Sequence, residues 1–153
     1  MTQAVGMDDL VQPVYTRVSM KIYFAGSIRG GRDDAPLYAE IIRLLQAYGQ
    51  VLTEHIGDQG LSVHGEGKVA ESIFQRDVDW VREADVIVAE VTTPSLGVGY
   101  EIGLAEQLGK RIICLYRPQP DRKLSAMILG NTQLTVVEYR EVSGLTEQLK
   151  KIL

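Results

Sequence analysis

The chain has little of what builds metal centres and disulfides. Its 153 residues include one cysteine, Cys114, and two histidines, His55 and His64. That set gives no cluster with metal-ligand spacing. A lone cysteine cannot close an internal disulfide, which points to a reducing compartment, the cytoplasm and also the nucleus, although no clear nuclear-import run is present. Cys114 lies inside an apolar run and reads as a buried thiol rather than a nucleophile. Basic charge is not in excess either: 16 Lys and Arg stand against 20 Asp and Glu, for a net charge of −4. A binder of nucleic-acid polymers carries a basic patch, and here the arginines are scattered. Apolar runs such as 112–116 are strand-length, far below the roughly 20 residues of a membrane helix. The opening stretch shows no basic-then-apolar signal pattern. No Ser/His/Asp nucleophile elbow occurs.

What remains is an ordinary globular composition, 45% hydrophobic and 24% charged, of a size for one domain. Residues 1–19 have no clear period and read as a disordered leader, so the domain is expected over 20–153. From Lys21 onward the punctuation is regular. Strands are expected at Lys21–Ala25, Val51–Thr53, Asp85–Ala89, Arg111–Tyr116 and Leu134–Val137. Between them fall a helix after Asp33 or Asp34 with Pro36 in its first turn and Gly49 as its stop, then helices at Val69–Glu83, Val98–Leu108 and Lys123–Leu129. Ser143 caps a last helix to Leu153. Strands alternating with helices imply right-handed βαβ units. The expected fold is α/β, a five-stranded parallel sheet with helices on both faces, flavodoxin-like or Rossmann-like in three layers. In such sheets ligands sit outside the carboxyl ends of the strands, so the loops Gly26–Arg32, Glu90–Tyr100 and Arg117–Ser125 share one face.

Each loop carries chemistry. Gly26-Ser27-Ile28-Arg29-Gly30-Gly31-Arg32 offers backbone N–H groups, a hydroxyl and two guanidiniums, the parts of a phosphate cradle. It lacks the Gly-Lys-Ser/Thr ending of a P-loop, and the plain alternative is a glycine turn with surface arginines. Gly97-x-Gly99 before a helix suits an anion at the helix N-terminus. It imitates a dinucleotide fingerprint only weakly, because Ile102 stands at the third glycine and the motif follows the third strand.

Two carboxylates stand out. Glu101 falls in the expected first turn of its helix, where the dipole favours ionisation. It reads either as a favourable first-turn glutamate or as a group set against developing positive charge, or as a nucleophile. Asp77 shares a helix face with Ile73, Phe74, Trp80 and Val81, while Asp79 is rotated about 200° away. An acid on an apolar stripe is either ion-paired, for instance with Arg29 or Arg32, or protonated with a raised pKa. Two carboxyls in unlike environments form the acid–base pattern of glycoside cleavage. Tyr23 sits mid-strand near the first loop, as core or as site. His55 follows the second strand on the ligand face, where an ordinary surface histidine is the alternative; His64 reads as solvated.

The series Tyr23-Phe24-Ala25-Gly26-Ser27-Ile28-Arg29-Gly30-Gly31-Arg32, Leu52-Thr53-Glu54-His55, Ala84 to Val91, Pro94-Ser95-Leu96-Gly97-Val98-Gly99-Tyr100-Glu101 and Leu124-Ser125-Ala126-Met127-Ile128 resembles the nucleoside 2-deoxyribosyltransferase superfamily. Within it, the series closely resembles the 2′-deoxynucleoside 5′-monophosphate N-glycosidases. The resemblance covers roughly 20–153 and implies hydrolysis of the N-glycosidic bond to free base and 2-deoxyribose 5-phosphate, with no cofactor and no metal. It implies that Glu101 attacks or stabilises the anomeric carbon and that Asp77 assists the departing base. Tyr23 stands beside the sugar, disfavouring a 2′-hydroxyl. Ser27, Arg29, Ser95 and Gly97 form the phosphate cradle, with Gly26, Ile28, Gly30, His55 and Met127 among the substrate contacts. Ser125 is implied to serve the neighbouring subunit's site, hence a homodimer. The substrate partner is a nucleotide, not a polymer or a membrane. The Gly57–Lys68 loop matches no family motif and is placed to touch the base, whose identity stays open among purine, pyrimidine and 5-hydroxymethyluracil. A nucleoside deoxyribosyltransferase and a non-catalytic nucleotide sensor are the alternatives.

Overall fold

The computed structural model describes residues 19–28, 33–58, 60 and 64–153. The leader expected at 1–19 thus lies outside the described residues up to position 18, and so do residues 29–32 of the first loop. The elements are β1 (Met20–Ala25), α1 (Ala35–Gln46), β2 (Gly49–Val51), α2 (Ala70–Glu83), β3 (Val86–Glu90), α3 (Leu96–Gln107), β4 (Arg111–Tyr116), α4 (Ala126–Leu129), β5 (Thr135–Glu138) and α5 (Val142–Ile152), with a 3-10 turn at Glu54–Gly57. All strand pairs are parallel, in the order β2-β1-β3-β4-β5. This is the flavodoxin-like order, whose switch point lies between β1 and β3.

The strands alternate sides, and each side feeds its own core. Ile22, Phe24, Val86, Val88, Ile113 and Leu115 pack against Tyr38, Ile41 and Leu45 of α1 and against Leu145 and Leu149 of α5. On the other side Tyr23, Ala25, Ile87, Ala89, Ile112 and Cys114 meet Val81 of α2 and Val98, Ile102 and Ala105 of α3. Because helices cover both faces, the central strands read as continuous apolar runs, as parallel strands do. Cys114 is fully buried, and burial pushes its thiol up to about 12, so it is inert.

Several strand and helix boundaries differ from the sequence reading by a residue or more, most clearly at β2, α3, α4 and α5. β2 is Gly49–Val51, not Val51–Thr53, and Gly49 opens the strand instead of stopping α1. A Cβ at position 49 would lie 2.0 Å from the Met20 carbonyl oxygen, so the close pairing with β1 requires glycine. Thr53 leaves the strand because its hydroxyl bonds to both the N–H and the carbonyl of Phe24, at 2.8 and 2.6 Å. α3 begins at Leu96, with the Ser95 hydroxyl accepting from Val98 N. α4 is a single turn capped by Ser125, and α5 starts from Glu141 rather than Ser143.

Candidate active site

The loops after β1 and β3 flank the switch point, and a cavity of about 300 Å³ opens between them. That is the lower end of the size range for small-molecule sites. Tyr23, Gly26 and Ile28 come from β1 and its loop; Ser95, Gly97 and Glu101 come from the start of α3; Ile73, Phe74, Arg76 and Asp77 come from α2.

Tyr23 is only 2% exposed, and its hydroxyl donates to Glu101 Oε1 at 2.7 Å. Burial pushes the tyrosine far above its ordinary pKa, with the charge of Glu101 adding to the effect. It therefore stays a proton-bearing donor throughout the working pH range. Glu101 lies in the second turn of α3, not the first, because the helix starts earlier than the sequence suggested. The helix dipole acts mainly within the first turn, so it does not set this group's ionisation. Burial does, raising Glu101 to about 7 despite the Tyr23 hydrogen bond, and the nearby Asp77 pushes the same way.

A raised carboxyl pKa has a signed consequence for stability. The contribution is fully present below the unfolded-state value near 4.5 and is lost as pH rises through about 7. Glu101→Gln cannot ionise and keeps an acceptor for Tyr23. It is expected to match the native chain near pH 5 and to exceed it at pH 8 by about 2–3 kcal/mol. Thermal melts at the two pH values check this; a gap of about 5–10 °C is expected at pH 8, and equal melting temperatures there would contradict it.

Asp77 occupies the wall of the cavity rather than the core. In α2 only Val78 and Val81 are buried, while Phe74 is 51% exposed. The apolar stripe containing Asp77 thus lines a cleft, and the core stripe is rotated by one residue. The expected ion pair exists, but its partner is the adjacent Arg76. The guanidinium donates to Asp77 Oδ1 from Nε at 2.9 Å and from Nη2 at 2.7 Å. Its Nη1 donates to Glu66 Oε1 at 2.7 Å, and its Cζ sits 4.7 Å from the Trp80 ring centre. Burial raises the Asp77 pKa even so, outweighing Arg76. His55 stands behind this cluster and not in the cavity wall. Its Nε2 is 2.9 Å from Glu66 Oε1, its ring centre is 5.8 Å from that of Trp80, and burial holds its pKa below the usual value.

The remaining expected contacts divide. Gly26 is pressed against Tyr38, whose ring a Cβ would meet at 3.0 Å. Ile28, Ser95 and Gly97 line the cavity with it. Ser27 is fully buried, its N–H donating to the Tyr38 hydroxyl. Arg29 and Gly30 lie outside the described residues. Ser125 and Met127 line a second cleft of about 380 Å³, which shares Ser95 and Val98 with the first. The loops are tied together from behind. Arg117 Nη2 donates to Asp34 Oδ1 at 2.6 Å and Thr93 Oγ1 donates to Asp34 Oδ2 at 3.1 Å, while buried Glu90 accepts from the hydroxyls of Thr92 and Tyr139. Sequence reasoning missed Arg76 and Glu66. The only sign of Glu66 was its place in the loop read as able to touch the base. Among the described residues no group of three His, Cys, Asp or Glu is placed to hold a metal ion.

The profile of the family described as nucleoside 2-deoxyribosyltransferase matches residues 22–134. The chain belongs to this family. Among relatives of this deoxyribosyltransferase-family chain, the 5-hydroxymethyl-dUMP N-hydrolase of Mus musculus is 53% identical over 129 residues, covering 81% of this chain and 75% of the mouse protein. The enzyme of the same description from Homo sapiens is 50% identical over 125 residues, covering 78% and 72%. The fold also matches the CMP N-glycosidase BcmB of Clostridium botulinum with a TM-score of 0.61, at 20% identity, over 87% of this chain and 99% of that one.

Proposed function

We propose that the chain hydrolyses the N-glycosidic bond of 2′-deoxynucleoside 5′-monophosphates, giving free nucleobase and 2-deoxyribose 5-phosphate. The observation that carries this reading is the Tyr23–Glu101 hydrogen bond of 2.7 Å in one cavity with Asp77. The 5′-phosphate occupies the Gly26–Ile28, Ser95 and Gly97 end, at the start of α3. The phosphate is remote from the broken bond, so its binding energy positions the sugar. The C1′–N bond breaks with its electron pair passing to the base, and Asp77 supplies the proton the base needs. The Glu101 carboxylate adds to C1′ or faces the oxocarbenium ion as its counter-charge. Water then delivers hydroxide to C1′ and returns a proton to Asp77. A 2′-deoxy sugar forms this cation more readily, because no 2′-oxygen withdraws charge, and the buried Tyr23 beside Glu101 leaves little room for one.

Incubation with a panel of deoxy- and ribonucleoside monophosphates tests the reading. Release of base from the deoxy series is expected. Binding without release would instead support a nucleotide sensor. The family description favours one second reading, transfer of the deoxyribosyl group to another base; exchange of added free base into nucleoside would reveal it.

A homodimer completes the proposed site. α3 is apolar on its outer face as well as its inner one: Leu96 is 96% exposed and Tyr100 is exposed beside it. Gly99 and Gly103 have open space where a Cβ would stand, which allows a second helix to approach closely. Met127, 81% exposed, and Leu129 extend the patch. Ser125 is outside the Glu101 cavity of its own protomer, and a partner across α3 supplies it to the phosphate end. Mixed Glu101→Ala and Ser125→Ala chains are expected to recover about a quarter of native activity, because about half of the dimers pair unlike chains and each of those carries one intact site of two. No recovery would mean self-contained sites.

A further inference from the structure

Beyond the sugar and phosphate, the cavity continues to a polar end that the reaction does not use. Its walls are apolar, from Ile56, Ile73 and Phe74, and its polar end is formed by Glu66 and Arg76. With phosphate assigned to the α3 end and C1′ to Glu101, this part is left for the nucleobase. An apolar slot with one or two fixed polar groups is how small-molecule sites set orientation.

Glu66 is built into place. Its side chain is only 12% exposed, its Oε1 accepts from Arg76 Nη1 at 2.7 Å, and His55 Nε2 lies 2.9 Å from the same oxygen. Oε2 has no hydrogen-bonded partner among the described residues. Arg76 cannot swing away, since its other nitrogens hold Asp77 and its face lies on Trp80. Burial pushes the Glu66 carboxyl up, but the Arg76 hydrogen bond and His55 outweigh it and hold the group below its ordinary value. It is therefore an ionised acceptor with no proton to donate.

We infer that Glu66 is a specificity-determining residue whose free Oε2 accepts a hydrogen bond from a donor substituent on the nucleobase, a hydroxyl or an amino group on the edge remote from the glycosidic nitrogen. The inference rests on the N-glycosidase reading above. A site built to bond a substrate hydroxyl discriminates strongly against an analogue lacking it, because the buried carboxylate oxygen is then left unpaired.

Four substrates and two variants decide it. 5-Hydroxymethyl-dUMP against dTMP compares a hydroxyl with no hydroxyl on nearly the same shape; dCMP against dUMP compares an amino group with a carbonyl. The native chain is expected to favour the donor-bearing member of at least one pair by about tenfold or more in kcat/KM. Glu66→Ala is expected to bring that ratio down by about tenfold or more, and Glu66→Gln, which keeps size and one acceptor, to fall between. A fall in the first ratio identifies the hydroxyl as the donor, and a fall in the second the amino group. Matching melting temperatures of Glu66→Gln and native chains separate this from misfolding. Both ratios unmoved in both variants would overturn the role of Glu66 while leaving the glycosidase reading intact. No base released from any of the four by the native chain would overturn that reading, and this inference with it.

Discussion

Glu101→Ala is expected to lower kcat/KM for 2′-deoxynucleoside 5′-monophosphates by about 10²-fold or more. Among the described residues the carboxylate is the only negative charge hydrogen-bonded to the buried Tyr23 hydroxyl, and loss of solvation raises its pKa. In such surroundings a charge acts on a developing cation far more strongly than in water. The loss should appear in kcat, since neutral substrate and charged transition state differ most at this group. A pH signature accompanies it. Only the ionised form can face the cation, and burial sets its pKa near 7. The mechanism needs Glu101 ionised and Asp77 protonated together, so the kcat/KM of the native chain is expected to follow a bell between about pH 5 and 8, with the limb set by Glu101 near 7. A flat profile over that range, or an alanine variant within a few-fold of native turnover, would remove Glu101 from the reaction.

Asp77→Asn is expected to cost about 10²-fold in kcat, within the range for loss of a positioned acid. The side chain keeps its shape and its place beside Arg76, so the loss isolates proton delivery from packing. Its dependence on leaving group is the sharper measure. A base that departs readily as an anion needs little help, so the variant should lose less on an activated nucleobase than on an ordinary one. An equal loss on both would assign Asp77 a role in holding Arg76 instead.

Much of this site was legible before the fold was known, and the failures have physical causes. β1 and β4 declared themselves because strands covered on both faces need uninterrupted apolar residues. β2 did not, since its register depends on a contact far away in sequence. Gly49 is required by the Met20 carbonyl, and Thr53 turns its hydroxyl onto Phe24. Glu101 and Tyr23 were each recognisable alone, but only packing of α3 on β1 could show that they touch. The starting point of α3 decided whether dipole or burial governs Glu101, and a two-residue error reversed the answer. Asp77 was singled out by its helix face. Its partner was not, because adjacent helix residues point about 100° apart and are not expected to pair. Arg76 bends across to Asp77 while Glu66, from an irregular loop with no periodicity to read, holds its far end.

The chemistry depends on where the anomeric carbon rests. The direct measurement is a crystal structure of the Glu101→Gln variant with a bound 2′-deoxynucleoside 5′-monophosphate. C1′ is predicted to lie about 3–3.5 Å from the side-chain oxygen at position 101, the separation of a near-attack arrangement, with the phosphate at Ser95 and Gly97 and the base toward Glu66. A nucleotide seated in the cavity with C1′ well beyond contact of that oxygen, or with base and phosphate exchanged, would contradict it.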